Sequence, residues 1–219
     1  MTPKPARPRG RPTSEQAARL DLSIKEAALD VFLDQGFERA KMDRIAERAG
    51  TTKATLYARY PSKEELFLHV LRWATARDDW PFREPELPDI DDLEGALRSI
   101  ADASVRRALH PDMVKLARIA NSQSVHFPEI AGSIRAGWPR QQAVVDVLKR
   151  HVAAGTIAVP DPDLAAELFL GMIAATPARL ASFGVVRSQK VQRRHTEMAV
   201  RICVDGLVQA KVRDTGRKS

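Results

Sequence analysis

Between Glu47 and Glu64 the chain carries no acidic residue, and inside that gap Thr51, Thr52, Lys53, Thr55, Tyr57, Arg59 and Lys63 gather hydroxyl and cationic groups into one short stretch. Hydroxyls bond to base edges or phosphate oxygens, and ammonium and guanidinium groups neutralise phosphates. A guanidinium alone can grip a guanine edge with two parallel hydrogen bonds. A carboxylate at such a surface would repel phosphate, so its absence matters as much as the cations do. The stretch therefore reads as a surface for double-stranded DNA. Arg59 has two open roles, a guanine edge or a phosphate. Lys63 stands at a helix start, where free amides and the positive end of the helix dipole add to its own charge in holding a phosphate.

These side chains need short helices to present them. Leu20, Ile24, Ala27, Ala28 and Val31 recur at helical spacing, Phe32 widens the stripe, and Gly36 stands where a glycine ends a helix, so the spacing predicts a first helix over 18–35. Met42, Ile45, Ala46 and Ala49 predict a second over 41–48, stopped at Gly50. A third runs from Thr52 to Tyr60 and ends before Pro61; a fourth restarts at Ser62, with Glu65 three residues on in capping-box spacing. Two short helices joined through Ala49-Gly50-Thr51 form a helix-turn-helix, whose second member enters the major groove. Further amphipathic segments lie near 90–109, 113–120, 132–154, 160–182 and 188–212, with Pro177 expected to kink or end the fourth of these. The reading is all-α, about nine helices, with no strand. Its boundaries are a basic arm at 1–17, a helix-turn-helix domain at 18–63, a helical domain at 64–212 and a basic tail at 213–219.

The charge distribution agrees with this division. Of 219 residues, 44% are hydrophobic and 29% charged, with a formal net charge of +7. Residues 1–63 hold 13 Lys/Arg against 8 Asp/Glu, and residues 64–210 hold 18 against 19, so the excess sits beside the candidate surface. The arm contains Pro8-Arg9-Gly10-Arg11-Pro12, either an AT-hook core that places Arg9 and Arg11 in a narrow minor groove or a tail with phosphate attraction alone. Cys203 is the only cysteine, and the five histidines form neither His-Glu-x-x-His nor a close pair, so no metal, cofactor or catalytic residue is assigned. No Gly-x-Ser-x-Gly elbow is present. Apolar runs fall short of a membrane span and no secretory leader is visible, which places the protein in the cytoplasm, away from membranes.

The run Ile24, Ala27, Ala28, Phe32, Gly36-Phe37, Met42, Ile45-Ala46, Ala49-Gly50, Thr52-Lys53, Thr55-Leu56-Tyr57, Tyr60 and Ser62-Lys63 resembles the TetR family of bacterial transcriptional regulators. The resemblance covers about residues 18–67. It implies that Thr52, Lys53, Thr55, Tyr57 and Arg59 face DNA, with Tyr57 and Lys63 on phosphates; Thr51, Lys41 and Tyr60 complete the expected DNA surface. Three positions depart from the family pattern. Ala40-Lys41 replaces a hydroxyl pair, Ala54 a frequent glycine, and Tyr60 a phenylalanine.

The resemblance further implies a homodimer paired through its last two helices, where Gly171, Ala174, Ala175 and Gly206 would allow close approach. Such a dimer would bind a palindromic operator and act as a ligand-responsive regulator, read here as a repressor released by a small, largely apolar effector. Candidate pocket residues are Trp73, Phe127, Trp138, Phe169 and Met172, with Asn121 and His126 as polar anchors. The alternative is a helical small-molecule carrier or an enzyme without DNA binding, which salt-dependent DNA binding would separate from the regulator.

Overall fold

The computed structural model describes residues 13–77, 90–130 and 139–216; of residues 139 and 209–216 it describes the backbone alone. Arg9, Arg11 and Trp138, three of the expected site residues, lie outside the described residues. Nine helices and no strand occur among the described residues. They are α1 (Ser14–Arg39), α2 (Met42–Arg48), α3 (Lys53–Arg59), α4 (Lys63–Ala76), α5 (Leu93–Ala108), α6 (Pro111–Gln123), α7 (Pro139–Ala153), α8 (Pro162–Ser182) and α9 (Gln189–Gly216). Two compact units divide between Val70 and Leu71, inside α4.

The first helix starts four residues before the apolar stripe predicts. Thr13 Oγ1 accepts from the Gln16 amide at 3.2 Å and Gln16 Oε1 accepts from the Thr13 amide at 3.0 Å, a reciprocal cap that satisfies two otherwise orphaned donors. Residues 13–17 are thus the start of α1 rather than part of an arm. Gly36 adopts φ +75°, a conformation costly for a residue with a Cβ, and the helical path breaks there before Phe37 turns inward. Phe32, Phe37 and Phe67 then meet with ring centroids 5.2 to 6.0 Å apart, and Ile24, Ile45, Leu56 and Leu66 are fully buried around them. Each such burial contributes about 1.5–3 kcal/mol, which fixes helices too short to be stable alone.

In the second unit Leu97, Ile100 and Ala101 of α5, Val144, Val145 and Leu148 of α7, Phe169, Leu170 and Ile173 of α8, and Ala199 and Val200 of α9 form one core. Pro177 does not end α8. Its nitrogen has no hydrogen to donate, and a π turn over Gly171–Ala175 precedes it before the helix runs on through Thr176–Ser182. By length and composition alone α8 is apolar enough to cross a membrane, longer than the sequence reading allowed. Its Ala166, Phe169, Leu170 and Ile173 belong to the core just described, and Glu167 and Arg179 interrupt its outer face.

In α9, expected as an amphipathic segment over 188–212, several large apolar residues face outward. Val191, Met198 and Ile202 are about half exposed, whereas Gln192, Thr196, Ala199 and Val200 face inward. The packed face lies beside the most apolar one, because α9 turns its small residues toward the core.

Candidate nucleic-acid interface

The second helix of the helix-turn-helix, α3, is held by one buried side chain and one cap. Leu56 is fully buried beneath α3, and Thr52 accepts from the Thr55 amide at 3.1 Å, so Thr52 is the cap rather than the first helical residue. The Thr52 and Thr55 hydroxyls lie 2.8 Å apart and bond to each other. Gly50 turns the chain between α2 and α3 at φ +65°, where a side chain would be strained. Thr52, Lys53, Ala54, Tyr57 and Ala58 are left on the exposed side, and Thr51, Thr55 and Arg59 on its half-buried flanks. Lys41 is exposed at the start of α2 and makes no side-chain cap there.

Tyr60 does not belong to this surface. It is buried, its hydroxyl donates to Asp21 Oδ1 at 2.7 Å, and its ring meets the edge of His69. The residue that replaces the family phenylalanine thus faces inward and makes a hydrogen bond that a phenylalanine could not. Lys63 is also engaged within the chain: its ammonium donates to the carbonyls of Phe37 at 2.8 Å and Glu38 at 3.2 Å and stands 4.4 Å from the Phe37 ring centroid. It thereby satisfies carbonyls at the end of the first helix, a task its place at a helix start did not suggest.

Two carboxylates missed in the sequence reading approach α3 through space. Asp43 of α2 lies 2.7 Å from Lys53 Nζ, and that hydrogen bond and opposite charge raise the lysine pKa above its ordinary value. Asp21 of α1 lies 2.7 Å from Lys25 and 3.6 Å from Arg59 Nη1. Partial burial pushes the Asp21 carboxyl upward, but the Lys25 and Tyr60 hydrogen bonds and the Lys25 and Arg59 charges outweigh it and leave it below the ordinary carboxylate range. The only local sign was the Asp21–Lys25 spacing of four; nothing near α3 announced either acid.

The expected effector residues differ in their settings. Phe169 is buried in the second core, Asn121 and His126 are exposed near the end of α6, Phe127 is half-buried, and Trp73 carries the Arg77 guanidinium 4.6 Å over its ring. Of the six described, Met172 alone lines an open groove of about 620 Å³ between α8 and α9, together with Thr176, Arg187, Val191, His195, Met198 and Ile202 among others. There His195 Nε2 donates to the Met172 carbonyl at 2.8 Å, and its Nδ1 lies 3.3 Å from Arg187. A carbonyl only accepts and a guanidinium only donates, so Nε2 carries the hydrogen. Gln192, unmarked in the sequence reading, is buried with both amide atoms lacking a hydrogen-bond partner.

Comparison with known proteins decides the family. Residues 24–70 match "Bacterial regulatory proteins, tetR family", and residues 95–206, just over half the chain, match "AefR-like transcriptional repressor, C-terminal domain". The chain belongs to the TetR family. This TetR regulator is 33% identical over 143 residues to the HTH-type transcriptional repressor SCO4008 of Streptomyces coelicolor, covering 64% of this chain and 70% of the relative. A second relative, the transcriptional activator FasR of Mycolicibacterium smegmatis, is 52% identical over 46 residues; that match spans only 21% of either chain. Among solved structures, the flavonoid-responsive regulator FrrA superposes with a TM-score of 0.69 at 28% identity, covering 86% of this chain and 97% of that one. The fold of this regulator is therefore an N-terminal helix-turn-helix domain followed by a helical domain, as in its relatives.

Proposed function

We propose that this chain is a homodimeric repressor that reads a palindromic operator through α3 and leaves it when a small, largely apolar effector binds the second unit. One observation carries the DNA reading: α3 is fixed from beneath by Leu56 and capped by Thr52, while Lys53 and Tyr57 stand exposed above it. Thr51, Thr52, Thr55, Arg59 and Lys41 extend that polar surface, with Lys63 beside it as a phosphate contact available once DNA competes for its ammonium. The broadly matching relative is named a repressor, which favours repression over activation.

The dimer reading rests on the outer faces of α8 and α9. Leu164, Leu168 and Met172 repeat every turn along α8, and Val191, Met198 and Ile202 stand exposed on α9. A contiguous apolar face of this kind marks an association surface, and a two-fold pairing would set two reading helices about one DNA turn apart. Effector binding is supported by the unpartnered Gln192 amide, since a buried amide without partners costs about 1–3 kcal/mol that a ligand with donor and acceptor groups would recover. Flavonoids, to which FrrA responds, are apolar rings of that kind and are the first probes to try. Transmission would run along α4. Within the second unit Arg107 of α5 donates to the carbonyls of Arg77 at 2.9 Å and Thr75 at 3.0 Å, holding the end of α4 against α5.

The test is recovery of genomic fragments by the purified protein, followed by salt titration on the recovered duplexes. Palindromic fragments whose log affinity falls steeply with log salt concentration are expected. Failure to retain any duplex at low salt would leave the carrier reading in place.

A further inference from the structure

The carboxylate-free stretch that carries the recognition helix is not free of carboxylates in space. Asp43 touches the Lys53 ammonium from α2, and Asp21 stands against the Arg59 guanidinium from α1. Lys53 and Arg59 are the only cations of α3 itself, so each has an acid assigned to it by the tertiary fold. The two pairs differ in setting. Asp43 and Lys53 are about two-thirds exposed, while Asp21 and Arg59 are each about one-third exposed and Asp21 also accepts from the Tyr60 hydroxyl.

We propose that Asp43 and Asp21 are specificity-determining positioning residues, which hold Lys53 and Arg59 away from indiscriminate phosphate contact so that only a duplex offering base-edge partners repays their release. The inference rests on the DNA-binding reading above. An exposed ion pair is worth little in water, about 0–1 kcal/mol, so it does not exist for stability. Beside a polyanion the same pair weighs more. A cation already neutralised releases fewer counterions on non-specific binding, and the acid itself repels phosphate. On a duplex with matching bases, the cation gains directed hydrogen bonds that offset leaving its acid. The acids therefore penalise the wrong duplex more than the right one, which is how discrimination arises from a repulsive element.

Asp43→Asn is the primary variant, because its side chain is exposed and the amide keeps its shape. The probes are a duplex selected by the wild-type protein from a random-sequence pool and poly(dI-dC) as the non-specific duplex. D43N is expected to bind poly(dI-dC) about three- to tenfold tighter, with a salt slope steeper by about one unit, and to change affinity for the selected duplex less than about twofold. Glu47→Gln, which removes one acid from the same helix whose partner is Arg44 rather than a recognition cation, is expected to leave the ratio of the two affinities unchanged. Asp21→Asn should lower that ratio in the same direction, and Asp21→Glu should restore it in part.

An unchanged ratio in D43N, or an equal drop in E47Q, overturns the inference; the second result would make the effect one of bulk charge. Should D21N fail to fold, the wild-type protein still answers for Asp21. Restricted rotation of the Arg59 guanidinium in its nitrogen NMR signals is expected, and free rotation removes Asp21 from the brace. Recovery of no duplex by the wild-type protein would instead remove the DNA reading itself.

Discussion

The first unit covers its large apolar side chains, leaving Leu22 and Tyr57 among the described residues more than a third exposed; the second leaves Leu164, Leu168, Met172, Val191, Met198 and Ile202 on adjoining helices in water. The interior polar groups differ too. Tyr60 and Lys63 of the first unit find partners across the fold, whereas Gln192 of the second finds none. A unit whose inward groups are satisfied and whose outer face is polar is finished as a scaffold and ready to meet a charged partner. A unit with an uncovered apolar face and an unanswered amide still lacks something that association or a ligand would supply.

The contrast can be broken at its strongest point first. Phe67→Ala removes one ring of the cluster formed with Phe32 and Phe37 and should cost about 3–5 kcal/mol, read as a lower denaturant midpoint together with loss of DNA retention. A cost below about 1 kcal/mol would mean that the cluster does not hold the first unit together. Next, Leu168→Asp places a charge on the uncovered face. Sedimentation should show the proposed dimer weakened by about 2 kcal/mol or more, roughly thirtyfold, while the monomer keeps its helical circular dichroism. An unchanged dimer would move the interface elsewhere.

Smaller effects sharpen the comparison. Gln192→Met exchanges an unpartnered amide for an apolar chain of similar length and should raise the stability of the ligand-free protein by about 1–2 kcal/mol in thermal melts. Loss of stability instead would show that the amide is already satisfied. Tyr60→Phe should cost about 1 kcal/mol near neutral pH through the lost bond to Asp21. Burial, followed by that hydrogen bond and the Asp21 charge, raises the Tyr60 phenol above its ordinary value of 10.0. A raised phenol stabilises the fold below its unfolded value and loses that contribution as pH climbs past it. Wild-type stability should therefore fall between about pH 9 and 11 more than that of Tyr60→Phe, which lacks the phenol; parallel curves would count against the buried bond.

Most helices were legible because their signals are local. The Ile24 to Phe32 stripe, the Gly36 and Gly50 stops and the Ser62 cap, which accepts from the Glu65 amide at 3.1 Å, all act within one or two turns. Where boundaries differ from the apolar stripe, another local device acts: Thr13 with Gln16 extends α1, and a π turn carries α8 past Pro177. The candidate DNA surface was legible only in part. Thr52, Lys53 and Tyr57 are exposed as side chains of a short helix above Leu56 must be, but Tyr60 turned inward, since its position follows Leu56 by one helical turn. The expected effector residues were not legible as a pocket, because apolar residue type alone does not distinguish a pocket wall from a core.

Taken alone, the sequence determined the helices, the helix-turn-helix and the polar character of the stretch from Thr51 to Lys63, for these depend on neighbours one to eight positions apart. Only the tertiary structure decided that Asp21 and Asp43 stand against Arg59 and Lys53, that Lys63 closes the end of α1, and that α9 buries Gln192 while exposing Ile202. The physical reason is distance along the chain. Side chains ten to forty residues apart meet only after helices pack, and which face a helix offers to its neighbour is settled by fit with that neighbour rather than by its own periodicity.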